Sequence, residues 1–452
     1  MNRVISNFIK SLTVTRFFAL AFIIIITTGT ILLCLPVSSR AFEFTPFIDS
    51  FFTATSATCV TGLVLYDTYT HWSLFGQTII LIMIQVGGIG FMTVAFTVAF
   101  FKNRRIGLKE RELMQESVAA PQIGGIVKLA KMIIIGTLIF EGAGALLLSF
   151  RFVPEKGFFS GVFSAIFHAV SAFCNAGFDL MGYKGEYSSL TSYSGDWYVN
   201  IIIMLLIIIG GIGFYVWSDL KENKFHFKKY SIHTKLVLTV TAILIIIPAI
   251  MIFLIEKYDA GVLSNTPLSE ALASSLFQSV TTRTAGFNTL PVASLSDAVI
   301  LVLMMLMLIG GSPGSTAGGI KTTTFAVLVM SINAVMKKRE NPECFKRRLE
   351  PDILKKAAAI LIVYMALIIA GTMILCITDD IPLKESLFEV FSAINTVGLS
   401  LGATAKLGVI SKIVIALLMY FGRIGCLSIV MALSATYLPP PISYPLGKVA
   451  IG

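Results

Sequence analysis

The chain has 452 residues, 56% of them hydrophobic and 13% charged, with a mean hydropathy of +0.86. About a quarter of an ordinary globular chain is charged, so this is not a soluble enzyme, and disordered, collagenous and disulfide-rich classes are excluded with it. The formal net charge of +10 must then be read as a membrane-topology signal and a contact with anionic lipid headgroups, not as a nucleic-acid footprint.

In chain order, eight apolar runs approach the roughly 20 residues that carry a helix across a bilayer. They are Arg16 to Leu35, Ser73 to Phe101, Ile126 to Phe150, Asp196 to Leu220, Thr234 to Ile255, Ser296 to Met336 with an interruption, Ile353 to Ile377, and Leu407 to Leu438. The basic start followed by a long apolar run without a small-residue cleavage site predicts an uncleaved first span. Between the members of each pair lies a run too short to cross, near Pro46 to Ala57, Phe158 to Phe173, Pro267 to Val280 and Leu383 to Ile394. That length suits a re-entrant segment, so the chain reads as span, half-span, span, four times over. With the N-terminus and the long links inside, those segments hold 24 of the 35 Lys and Arg, as the positive-inside rule requires. Glu141, Arg283, Lys321 and Arg423 remain at membrane depth.

The strings that follow the half-spans are FTATSATCVTG (52–62), FHAVSAFCNAG (167–177), LFQSVTTRTAG (276–286) and FEVFSAINTVG (388–398). One glycine survives in all four, and Gly62, Gly177, Gly286 and Gly398 are spaced by 115, 109 and 112 residues. The chain is therefore four copies of one unit, 1–102, 103–222, 223–345 and 346–438, with a tail at 439–452. A second register follows at GGIG (87–90), GGIG (210–213), GGSPG (310–314) and GRIG (422–425). Its longer offset in the second unit is explained by a polar insertion around Tyr183 to Gly195, read as an external loop.

A half-helix that ends at a non-helical glycine leaves carbonyls without intrahelical partners, which membrane depth tolerates only along a water-filled path. Four such loops round one axis make an oxygen-lined constriction for a dehydrated monovalent cation, reinforced by the negative ends of the half-helices. The expected ion-binding residues are Cys59, Val60, Thr61 and Gly62; Cys174, Asn175, Ala176 and Gly177; Arg283, Thr284, Ala285 and Gly286; and Asn395, Thr396, Val397 and Gly398. The main chain is the ligand, so the side chains beside each glycine should matter little. The alternative for the glycines is close helix packing, but their periodicity favours the filter.

The fourfold pattern, the single filter glycines, TTRTAGF at 281–287 and GGSPGSTAGGIKTTT at 310–324 resemble the Trk/Ktr/HKT superfamily of K+ transporters, within it the KtrB-type membrane subunits. The resemblance covers essentially the whole chain. It implies an all-α membrane protein of four M1-P-M2 units around a pseudo-fourfold pore. It also implies channel-like K+ uptake across a bacterial plasma membrane, a homodimer, and control by a cytoplasmic nucleotide-binding ring of KtrA-type subunits. No GxGxxG or Walker loop follows a strand here, so nucleotide sensing is expected elsewhere. One glycine per loop, where four-subunit K+ channels repeat TVGYG, predicts weaker K+ over Na+ discrimination and leaves Na+ as a modulating ion. A Na+-coupled secondary carrier is the alternative, although carriers usually show inverted halves and all four units here share one polarity.

In the third unit, glycines and Pro313 interrupt the span, and a helix cannot run through them. Gly310, Gly311, Ser312, Pro313, Gly314, Ser315, Thr316, Gly318, Gly319 and Lys321 are read as a gate loop under the filter, with a simple kink as the bland alternative. Lys321 either stabilises that loop or reaches the interface. Arg423 occupies the register of Gly88 and Gly211, where a cation beside a cation path raises the barrier. It is read as a pore-lining gatekeeper, with a buried structural pair as the alternative. The Arg283 guanidinium should point away from the axis and brace its loop through hydrogen bonds to carbonyls or a carboxylate, Glu141 being a candidate partner.

Six scattered cysteines (Cys34, Cys59, Cys174, Cys344, Cys376, Cys426) form no CxxC pair, and His71, His168, His226 and His233 lack metal-ligand spacing. No disulfide and no metal beyond the filter K+ are expected. Neither a nucleophilic triad nor a carboxylate pair is present, so catalysis is not expected. The proline-rich tail from Pro439 reads as disordered, and the resemblance allows it to lie across a neighbouring subunit.

Overall fold

A computed structural model describes residues 14–90, 107, 111–112, 114–115, 118, 124–224, 226–258, 261–339 and 341–425. The expectations for Cys426, for the tail, and for the ends of the second and eighth spans beyond residues 90 and 425 lie outside the described residues. The helices come in sets that open with a long one. The first set is α1 (Val14–Cys34), α2 (Phe47–Cys59) and α3 (Leu74–Ile89). The second is α4 (Ile126–Lys156), α5 (Phe158–Phe173), α6 (Trp197–Gly211) and α7 (Phe214–Asn223). The third is α8 (Ile232–Tyr258), α9 (Leu268–Thr281), α10 (Asp297–Leu308) and α11 (Thr322–Met336), and the fourth is α12 (Pro351–Thr378), α13 (Leu383–Ile394) and α14 (Val409–Ile424). Among the described residues, α1, α4, α8 and α12 are each long and apolar enough to cross a membrane alone.

Local chemistry sets the boundaries. Pro46, Pro267 and Pro382 stand immediately before α2, α9 and α13, where a ring without an N–H costs no helix bond and fixes the entry angle. Ser73, Asp196 and Ser296 cap α3, α6 and α10 by accepting from first-turn N–H groups, a contribution of about 1 kcal/mol each.

Burial is inverted relative to a soluble protein. Ile24, Leu138, Ile246 and Ile369 are exposed on the long helices, while Ser56, Thr58, Thr61, Ser171 and Thr282 are fully buried. Such a surface is stable only against lipid, and polar groups collect where they meet one another. The short helices sit innermost: every residue of α2 from Asp49 to Cys59 is buried except Phe51. Packing runs round a closed ring. Helix α3 packs on α5, α6 on α9, α10 on α13, and α14 returns to α2.

One expectation is corrected. The run Asp196 to Leu220 is not one straight helix, because α6 and α7 meet at 96° across Ile212 and Gly213. Gly213 has φ +98°, and a Cβ there would lie 2.7 Å from the Pro313 carbonyl oxygen. Helices α3 and α14 likewise stop at glycines of positive φ, Gly90 at +88° and Gly425 at +96°. An inner helix thus ends at the close of the second glycine register in the first and fourth units and bends there in the second.

The ring closes through a charge pair. Lys412 on α14 donates to Asp49 on α2 at 2.6 Å, and Asp49 also accepts from the Tyr66 hydroxyl at 2.7 Å. Lys412→Met strands a mostly buried carboxylate and should cost roughly 2–3 kcal/mol, read as a lower apparent Tm of the detergent-solubilised protein. Adding Asp49→Asn should recover most of the loss; no recovery would mean that the pair contributes through something other than its charge.

Candidate functional site

The four short helices end in one shared backbone shape. Two residues before each periodic glycine stands a non-glycine residue in left-handed conformation: Val60 (φ 58°), Asn175 (59°), Thr284 (64°) and Thr396 (50°). For β-branched Val and Thr this is a true outlier, costing on the order of 1–2 kcal/mol. The glycines follow at φ +94°, +71°, +79° and +92°. Hydroxyls of the last helical turns brace the strain. Ser56 accepts from the Gly62 N–H at 3.1 Å and Ser392 from the Gly398 N–H at 3.0 Å. Ser171 donates to the Phe178 carbonyl at 2.7 Å, and Thr281 to that of Phe287 at 2.5 Å. Sequence reasoning missed these braces, although a serine stands six residues before the glycine in three of the four strings.

The glycines touch one another in sequence order round a ring. A Cβ on Gly62 would lie 2.4 Å from the Ala176 carbonyl oxygen, one on Gly177 2.8 Å from that of Ala285, one on Gly286 2.7 Å from that of Val397, and one on Gly398 2.2 Å from that of Thr61. Thus the residue before each glycine presents its carbonyl to the glycine of the preceding unit. Above the ring lies a cavity of about 350 Å³ lined by all four glycines, with Asp67 and Asp179 in its wall. Burial pushes the Asp179 carboxyl up to about 7; the Met181 N–H pulls it down, the Asp67 charge raises it further, and Lys156 opposes. The insertion after Tyr183 is tied down over this cavity: Tyr187 N–H donates to Asp67 at 3.0 Å, and Leu190 N–H to the Asn288 carbonyl at 3.0 Å. Several oxygens near the ring, Thr61 Oγ1, Asn395 Oδ1 and Thr396 Oγ1, are buried without a hydrogen-bond partner among the described residues. Donor-free oxygens are the chemistry a bare cation takes.

Directly below, residues 310–321 form a non-helical loop pinned to its surroundings. It closes on itself through Gly310 N–H to the Ile320 carbonyl at 2.9 Å and Thr322 N–H to that of Gly311 at 3.0 Å. It is held to the second unit by Ser312 N–H to the Gly211 carbonyl (3.0 Å), Thr316 N–H to that of Gly210 (3.2 Å) and Phe214 N–H to that of Gly314 (2.8 Å). The Thr316 hydroxyl lies 3.1 Å from both the Phe173 carbonyl and Asn175 Oδ1, and Gly318 N–H donates to Thr284 at 3.3 Å. Lys321 bends back onto the loop, donating to the Ala317 carbonyl at 2.7 Å.

The side chains of the turn are not spectators. Asn175 Nδ2 donates to the Arg283 carbonyl at 3.0 Å, so one amide links the second turn, the third turn and the loop beneath. Asn395, one position earlier in the fourth turn, donates back to Phe391 in its own helix. Arg423 donates to the carbonyls of Thr316, Gly87 and Gly88: its charge is engaged by main-chain oxygens of the loop and of α3 rather than left facing an open path. Arg283 is buried, but its guanidinium meets no hydrogen-bond partner among the described residues, contrary to the expected brace. Glu141 is not its partner. That carboxylate accepts from Gln85 at 3.0 Å and from the Cys174 thiol at 3.8 Å, joining α4 to α3 and α5.

The leading glycine of the second register packs against carbonyls. A Cβ on Gly87, Gly210 or Gly422 would meet the carbonyl of Thr58, Phe173 or Ile394, each at 1.9 Å, whereas one on Gly310 would meet that of Gly318 at 2.1 Å. In three units the inner helix therefore lies against the end of its short helix, and in the third the loop takes that place.

A family model for a cation transport protein, TrkH, matches residues 11–440. The chain belongs to the TrkH family. Its relatives include the Ktr system potassium uptake protein B of Bacillus subtilis (42% identical, 96% of each chain) and the potassium/sodium uptake protein NtpJ of Enterococcus hirae (38% identical, 98% of each chain). The crystal structure of the potassium transporter TrkH from Vibrio parahaemolyticus superposes with a TM-score of 0.70 over 92% of this chain and 85% of that one, at 18% identity, which speaks to the fold. As a member of the TrkH family the chain is a multi-pass membrane transport protein and not an enzyme.

The ring geometry ranks the glycines. A methyl at Gly398 would sit 2.2 Å from a carbonyl oxygen and one at Gly177 2.8 Å, both at a φ that itself costs about 1–2 kcal/mol. Gly398→Ala should abolish cation uptake in cells at normal membrane levels, and Gly177→Ala should reduce it by about tenfold. Wild-type uptake in both would show that the ring tolerates side chains.

Proposed function

We propose that this chain is the membrane subunit of a K+ uptake system. K+ passes through a carbonyl-lined filter made by Cys59–Gly62, Cys174–Gly177, Arg283–Gly286 and Asn395–Gly398, each set contributed by one M1-P-M2 unit around a pseudo-fourfold axis. The units are 1–102, 103–222, 223–345 and 346–438. The observation that carries the reading is the glycine ring, in which four main-chain carbonyls converge with no side chain between them. Such oxygens replace the hydration shell of an alkali ion. The name of the Bacillus relative supports K+ as the ion and a multi-component system. The protein then sits in a bacterial plasma membrane with its N-terminus inside, as a homodimer regulated by a KtrA-type nucleotide-binding ring. The potassium/sodium uptake protein NtpJ supports a part for Na+, as a permeant or modulating ion or, in the second reading, as the coupled ion of a carrier. Expression in a K+-uptake-deficient bacterium, with and without a KtrA-type partner, should restore growth at low K+. Current through the purified protein at fixed voltage supports the pore, and saturating exchange that requires Na+ supports the carrier.

The loop 310–321 is the gate in this reading, and Arg423 is its latch: three carbonyl contacts from one guanidinium hold the loop against α3 beneath the filter. Deleting part of Gly311 to Gly318 should raise K+ flux several-fold and reduce its dependence on the partner. Arg423→Gln should likewise raise maximal uptake. A properly inserted deletion protein with unchanged flux and regulation rejects the gate, and loss of uptake in Arg423→Gln at normal expression makes the arginine a structural strut.

Asp179 supplies a pH dependence. With its carboxyl raised to about 7, it is neutral below that pH and negative above it, where it concentrates cations in the mouth of the filter. Uptake at subsaturating K+ should rise from pH 6 to pH 8. Asp179→Asn should flatten that rise, and a rise that survives the substitution assigns it to another group.

A further inference from the structure

A cavity of about 1120 Å³ lies away from the glycine ring, between α4 and the bend of α6 into α7. Its walls are apolar: Met132, Ile135, Ile139 and Phe140 on α4 face Ile209 and Ile212 at the bend. At one end the lining changes character. Lys128, Lys131 and Lys221 stand there, with Glu222 the one carboxylate among the described lining residues. Among the described residues neither Lys128 nor Lys221 has an ion-pair partner. The same rim holds the start of α4, whose Gly125 cap offers no side chain to the first N–H groups. A 31-residue helix presents its positive dipole end there, which favours an anion.

We propose that this groove binds one anionic phospholipid from the surrounding bilayer, its acyl chain along the α4 wall and its phosphate among the three lysines. Charge complementarity selects the occupant. An apolar slot long enough for a chain, ending in net positive charge at a helix N-terminus, matches a molecule that is apolar at one end and anionic at the other, and basic pockets between membrane helices recognise such headgroups. The floor of the groove gives the site a consequence. Trp217 lines it and donates from Nε1 to the Ile209 carbonyl at 3.0 Å, clamping the bend whose Gly210 and Gly211 carbonyls anchor the 310–321 loop. A chain packed against Ile209, Ile212 and Trp217 therefore bears on the element that holds that loop. The proposal rests on membrane insertion alone and stands or falls independently of K+ conduction.

The test uses the purified full-length protein in vesicles of phosphatidylcholine containing either brominated phosphatidylglycerol or brominated phosphatidylcholine. Quenching at Trp217 is taken as the signal removed by Trp217→Phe. Phosphatidylglycerol should quench at least threefold more strongly, and the variant K128Q/K131Q/K221Q should fall to the phosphatidylcholine level. Native mass spectrometry of the same preparations should count one retained phosphatidylglycerol, lost in the triple variant, and serves where Trp217→Phe does not fold. Equal quenching by the two lipids, or a preference that survives the triple variant, overturns the proposal. So does protection from both lipids, which would mean that a protein segment fills the groove.

Discussion

The constraint on which the structure depends is the contact of four backbone turns with nothing but main chain between them. A glycine of one unit lies against the carbonyl of the next, with 2.2–2.8 Å between that oxygen and the place a Cβ would occupy. Closing so small a circle forces Val60, Asn175, Thr284 and Thr396 into a left-handed conformation, and strain of this kind persists only where the surroundings over-determine it. The surroundings do so here through the hydroxyl braces of the short helices, the burial of their last turns, and the inner helices laid against their ends. Loosening any of these widens the circle before it unfolds the protein.

The third unit breaks the equivalence on the inner side. Where the other three units bring an inner helix against the end of a short helix, the third brings a loop, and that loop gathers hydrogen bonds from the second unit, from Thr284 and from Arg423. Arg423 matters here because a guanidinium has five donors and no acceptor, which suits it to collecting carbonyls from chain segments that do not otherwise meet. Asn175 performs a smaller version of the same task from above.

Much of this was legible in the sequence, and the reasons are physical. Glycine periodicity survives because the turn excludes every other residue, so Gly62, Gly177, Gly286 and Gly398 announce the ring without any structure. Long apolar runs and short ones separate by length because lipid imposes it. Less was legible where geometry between distant segments decides. The bend at Gly213 was hidden inside an unbroken apolar run, and only its approach to Pro313 explains it. Arg423, Lys321 and Glu141 stood out in the sequence as charges inside apolar runs, but their partners are carbonyls, an amide and a thiol, which carry no signature in a one-letter string. The Ser56, Ser171 and Ser392 braces were in plain view and unread, since a serine near a helix end has many ordinary explanations.

Having all four quadrants on one polypeptide has a consequence that identical subunits cannot reach. An assembly of four identical chains would have to repeat any feature four times, and four copies of residues 310–321 would compete for the single space under the ring. A continuous chain frees each quadrant to diverge, so one supplies the loop, another the arginine that contacts it, and a third the carbonyls to which it is tied. Asymmetry of this sort lets a nearly fourfold ring be underlain by a single small element.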